Sequence, residues 1–148
     1  MISIQHEDFD VGVEYKTLTE NDTSAGAVVT FIGRVRDLNL ARNVSGLHIE
    51  HYAGMTEKSI QAIVDEARSR WKILRCNIVH RIGDLYLGDN IVFVGVTSAH
   101  REDAFDAANF IMDYLKTRAP FWKKELTDQG SIWVESQVKD MNAAKRWE

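Results

Sequence analysis

The chain has 148 residues, 45% of them hydrophobic and 27% charged, with a formal net charge of −4. That size and apolar content suit one domain over 1–148 built on one core, and the acidic balance argues against a general nucleic-acid binder. The single cysteine, Cys76, excludes an internal disulfide and suits a reducing, cytoplasmic setting. No leader and no apolar run long enough for a membrane span is visible.

Ile2 to His6 alternates as a first strand, and Val11 to Leu18 is weakly helical. Gly26 to Arg36 is rich in Val, Phe, Ile and Thr and predicts a strong strand, with Thr30, Ile32, Arg34 and Arg36 on one face. The polar stretch Asp37 to Ser45 reads as a loop, and Leu47 to Tyr52 as a strand. Thr56 is the expected cap of a helix carrying Ile60, Ile63, Val64, Ala67 and Trp71 at helical spacing. Leu74, Cys76, Ile78, His80 and Ile82 alternate as a strand. A Gly88-Asp89-Asn90 turn leads to Ile91–Thr97, apolar on both faces as a doubly covered central strand would be.

Ser98 is the expected cap of a long helix with acidic residues in its early turns and a stripe of Ala104, Ala107, Ala108, Ile111, Met112 and Leu115. Pro120 ends it. Two short strands follow, Phe121 to Leu126 and Ile132 to Ser136, around an Asp128-Gln129-Gly130 turn. The order of elements predicts an α+β fold with two main helices packed on a mixed or antiparallel sheet.

Chemistry concentrates between Thr97 and Glu125. His100 and Arg101 lie at the start of the long helix, where free N–H groups favour an anion. Lys116 and Arg118 lie at its end, and Lys123 and Lys124 follow the proline, with no acidic residue between Asp113 and Glu125. Spacing alone leaves two alternatives open: an anion pocket, or cations that serve the helix dipole and solvent. The two helix ends are far apart on one chain, so a shared pocket requires a folded-back strand or a second subunit. His48-Ile49-Glu50 matches only the first piece of a zinc-deaminase signature, and one cysteine with scattered histidines makes a zinc site improbable. Glycine-rich phosphate loops and serine elbows are absent, and Cys76 reads as a packed core thiol.

Six runs, Gly26–Phe31, Glu50–Tyr52, Gly54–Lys58, His80–Gly83, Val92–Arg101 and Asp113–Lys124, strongly resemble the large, catalytic subunit of molybdopterin synthase. The resemblance implies an α/β-hammerhead fold with a small β subdomain. It also implies a homodimer of large subunits at the core of a heterotetramer, with a small ubiquitin-like subunit at each end. That partner's C-terminal Gly-Gly thiocarboxylate donates sulfur to cyclic pyranopterin monophosphate, giving the dithiolene of molybdopterin without a metal or other cofactor. Carried onto this chain, the substrate contacts fall on Arg34, Val35, Arg36, His100, Arg101, Lys116, Lys123, Lys124 and Glu125. Where some members carry an arginine late in the last strand, this chain has Gln137, with Lys139 as a possible substitute. Two anions meeting in one cleft need several fixed cations, which the arginines, lysines and His100 would supply. Lys116 is the expected general acid or base, and Lys123 is expected to hold the thiocarboxylate or assist loss of water. A scaffold that binds a ubiquitin-like tail or an anionic metabolite without turnover is the alternative.

Overall fold

The computed structural model describes residues 1–39, 42–135 and 138–148; Gln137 lies outside them. Two apolar runs form the centre. β5 (Arg75–Arg81) and β7 (Asn90–Ser98) pair antiparallel, with Ile78 opposite Val94, and both are buried on both faces. β2 (Ala27–Arg34) lies antiparallel on the other side of β7, and β1 (Ile2–Gln5) lies parallel to β5. The first sheet therefore runs β1-β5-β7-β2 and is mixed.

Period-two alternation divides the core between the two faces of this sheet. Cys76, Ile78, Val94 and Val96 join the apolar stripes of α2 (Met55–Arg70) and α3 (Arg101–Thr117). On the other face, Val79 and Phe93 pack with Phe9 and with Leu18 of α1 (Val11–Thr19). Gly95 makes that second contact possible, because a Cβ there would collide with Leu18 and Phe93.

A second sheet is ordered β3-β4-β8-β9, from β3 (Leu38–Asn39), β4 (Arg42–His51), β8 (Phe121–Thr127) and β9 (Gly130–Val134). β6 (Gly83–Tyr86) also pairs with β4, Leu85 opposite Leu47. The chain closes with α4 (Val138–Lys145), and Trp147 beyond it packs edge-on against Trp71 and Phe110.

The α+β class and the doubly covered central strand stand as expected. Several details differ. Within the stretch expected as a loop, Asp37 to Ser45, the described residues include two strands: β3 and the start of β4 pair, Leu38 opposite Asn43, and residues 40 and 41 lie outside the described residues. The N-cap of α2 is Gly54, at φ +84°, where the Glu57 carboxylate accepts the Gly54 N–H at 2.8 Å. Thr56 instead accepts from the Tyr52 N–H at 3.0 Å and donates to the Pro120 carbonyl at 3.1 Å, tying the start of α2 to the start of β8. Ser98 ends β7 with its hydroxyl on the Lys72 carbonyl, and His100 occupies the N-cap of α3 without a side-chain capping bond. Strand β5 is buried on both faces rather than alternating, since α1 covers one face and the long helices the other. Helix α1 stands where the weakly helical Val11 to Leu18 was expected, α4 is an addition that brings the described helices to four, and the strands of the expected small β subdomain form a second sheet.

Candidate active site

The C-terminal ends of β2 and α3, the start of β8 and the start of α4 enclose a cleft of about 540 Å³. Each wall delivers charge for a local reason. Lys116 projects from the last turn of α3, where a cation suits the helix dipole. Alternation along β8 turns Phe121 and Lys123 into the cleft. Arg36 reaches it just beyond β2, and α4 adds Lys139 and Asp140. Arg36 makes no hydrogen bond or ion pair among the described residues, so its forked donor set is free for a ligand.

The other expected contacts divide into distinct positions. Arg34 lines the cleft, but its guanidinium donates to the Gly88 carbonyl at 3.2–3.3 Å, which pins the turn before β7. Val35 is buried and does not line the cleft; its N–H donates to the Asp89 carbonyl and its carbonyl accepts from the Gly88 N–H. Lys124 lies 4.6 Å from the ring of Trp133, over its face, and does not line the cleft. Glu125 is 3% exposed, and both its oxygens are engaged: Asn39 donates at 2.6 Å and Arg42 at 2.7 Å. That carboxylate anchors the β3–β4 hairpin, whose Asn39 lines the cleft. His100 and Arg101 line a separate pocket of about 430 Å³ with Gly26, Glu102 and Asp103. They sit at the opposite end of α3 from Lys116, roughly 25 Å away along a helix of this length.

The electrostatics single out Lys123. Burial, then the neighbouring Lys116 cation, lowers its amine from 10.5 to about 8, against a smaller opposing effect of Asp140. His80 of β5, also in the cleft, is pushed down to about 3, first by burial and then by Lys123. Nothing in the residue pattern marks His80, Asn39 or Asp140 chemically: a histidine in an apolar strand reads as core, and α4 carries no strong apolar periodicity. Among the described residues no group of His, Cys, Asp and Glu could hold a metal ion. Burial raises the Cys76 thiol to about 11, so it is no nucleophile at neutral pH. The arrangement suits a small anion held by Arg36 and the lysines beside an amine that exchanges its proton near neutrality.

The family model described as "MoaE protein" matches residues 4–118. The chain belongs to the MoaE family. This MoaE-family chain is 60% identical over 147 residues to the molybdopterin synthase catalytic subunit of Vibrio cholerae, covering 99% of this chain and 97% of that one. A solved MoaE protein from Burkholderia ambifaria superposes with a TM-score of 0.85 at 46% identity, over 99% and 97% of the two chains. The fold alone is shared with a chain from a complex of subunits 1 and 2 of the molybdopterin-converting factor of Helicobacter pylori, at 20% identity, 92% and 91% coverage and a TM-score of 0.75. The family match ends before β8, whereas the Vibrio similarity runs on through nearly the whole chain, hence through most of the stretch that carries Lys123 and α4.

Proposed function

We propose that residues 1–148 act as one unit, the catalytic subunit of a cytoplasmic molybdopterin synthase. It is a sulfurtransferase acting on cyclic pyranopterin monophosphate, with the C-terminal thiocarboxylate of a small ubiquitin-like subunit as sulfur donor. The observation that carries this reading is the cationic cleft around Lys123, in a chain 60% identical to a subunit of that name. Neither nucleic acid, membrane, metal nor bound cofactor has a part in the proposal.

The substrate phosphate and the partner's tail are both anionic, so bringing them together requires fixed positive charge in a water-poor space. Arg36 and Lys116 are assigned to the anionic groups. Lys123, in place of the expected Lys116, is assigned the proton transfer, because burial lowers its basicity toward neutrality. In each transfer the thiocarboxylate sulfur bonds to a substrate carbon and a carbon–oxygen bond there breaks: the oxygen of the cyclic ester stays on phosphorus as the ring opens, and a hydroxyl oxygen departs as water with a proton supplied by the Lys123 ammonium. Water then cleaves the acyl–sulfur bond and releases the tail as a carboxylate.

His100 and Arg101 enter this site from a second copy. β2 is an edge strand, and it runs from the His100 pocket at Gly26 to the cleft at Gly33 and Arg34. Antiparallel pairing of two copies along that edge would set the His100 pocket of one beside the cleft of the other, an isologous contact with two composite sites.

The test is reconstitution with purified chain, thiocarboxylated small partner and cyclic pyranopterin monophosphate, scored for molybdopterin. Product that depends on this chain, and is lost in Lys116→Ala while the partner remains bound, supports the assignment. A stable complex that yields no product from the unaltered chain would leave a binding scaffold instead.

A further inference from the structure

One group in the cleft has no part in the reaction just outlined. His80 is 5% exposed, at the end of β5. Its Nδ1 lies 2.8 Å from the Arg81 carbonyl, which can only accept, so Nδ1 carries the proton and Nε2 is bare. The ring lies flat against Phe121, centroids 3.8 Å apart and planes 17° from parallel. Phe121 and Lys123 are two residues apart on one side of β8, and all three side chains line the cleft.

The charges around His80 all disfavour a proton there: Lys123 from β8, Lys116 from α3 and His51 from β4, with only the Arg81 carbonyl opposing them. The charged groups that bear on Lys123 are Lys116 of α3 and Asp140 of α4. His80 thus presents an uncharged surface among cations throughout the neutral range. A phenylalanine would leave the Arg81 carbonyl without its donor, and an arginine or lysine would add another cation.

We propose that His80 is a positioning residue for Lys123: its neutral ring, clamped between Phe121 and the Arg81 carbonyl, walls the cleft and shields the Lys123 amine from water. The proposal rests on the assignment of Lys123 as the proton carrier and adds what maintains that property. Loss of water around the amine is the largest cause of its lowered basicity. The shape of the wall, not a proton on His80, is therefore what matters.

The experiment reads Lys123 directly, without turnover. The free chain is labelled competitively with acetic anhydride across the neutral-to-alkaline range, and modification of Lys123 is followed by mass spectrometry. In the unaltered chain the midpoint is expected near pH 8. His80→Ala opens the wall and moves the midpoint up by about one pH unit or more. His80→Phe keeps the stack and holds the midpoint within about 0.3 units of the original. His80→Gln keeps a donor for Arg81 but loses the flat face, so its midpoint also rises; it serves if His80→Ala does not fold. A midpoint that stays near 8 in the Ala and Gln variants, or that moves as far in His80→Phe as in His80→Ala, overturns the role of His80 alone. A midpoint at the ordinary lysine value in the unaltered chain overturns the Lys123 assignment as well.

Discussion

Replacing Lys123 with Met should make this protein more stable while abolishing its turnover. The amine sits at about 8 in the folded chain against 10.5 for an ordinary lysine. At about 1.4 kcal/mol per unit, that gap is about 3.5 kcal/mol. The sign follows from proton counting. Below pH 8 both folded and unfolded chains carry the charge, and the folded one bears its burial. Between pH 8 and 10.5 the unfolded chain binds the extra proton, so stability climbs with pH through that window. Partial exposure of the cleft makes about 3.5 kcal/mol a ceiling. Urea denaturation at fixed protein concentration should show Lys123→Met ahead of the unaltered chain by about 1–3 kcal/mol at pH 6.5. At pH 10 most of that advantage should have vanished. A constant difference between the two pH values, or a variant less stable at both, would refute the argument that burial sets this amine's basicity.

Glu125→Gln leaves Arg42 without its carboxylate and should cost about 2 kcal/mol, with faster hydrogen exchange at β3 and the start of β4; unchanged exchange there would show that the hairpin is held otherwise. Arg101→Ala and Lys123→Ala should each be inactive alone, yet recover about a quarter of full activity when mixed and reassembled, since half of the dimers then hold one intact site of two. No recovery would place Arg101 outside the site. Cys76, buried with its thiol raised to about 11, should resist iodoacetamide at pH 8 until the chain unfolds.

The elements legible in the sequence are those whose side chains report their own burial. β7 shows a continuous apolar run because it is covered on both sides, and α2 and α3 show helical stripes because each meets the sheet with one face. The β3–β4 hairpin was hidden because its attachment is polar: Arg42 and Asn39 look like loop residues until Glu125, more than 80 positions away, supplies their partner. β6 buries little beyond Leu85, and α4 buries only Ala144, too little apolar content to set a period. In the site, Lys116 and Lys123 were readable as cations lacking local acidic partners, whereas Arg36, followed directly by Asp37, was selected only through the family resemblance. The separation of His100 and Arg101 from them was readable from helix length. The outward turn of Lys124 and the lowered basicity of Lys123 depend on strand register and depth, which no local pattern encodes.

The aromatic cluster that receives Trp147 has a practical consequence for anyone watching this molecule in solution. Trp147 lies edge-on to Trp71, with its indole N–H on the Asp113 carboxylate at 2.7 Å, at one end of the helix whose other end carries Lys139 and Asp140 to the cleft. The remaining tryptophans, Trp122 and Trp133, are about half exposed on the second sheet. Intrinsic emission therefore has two populations, one reporting solvent and one reporting whether α4 is seated. A red shift confined to the shielded pair would signal that the cleft had lost a wall, with no label attached and before any unfolding of the sheet.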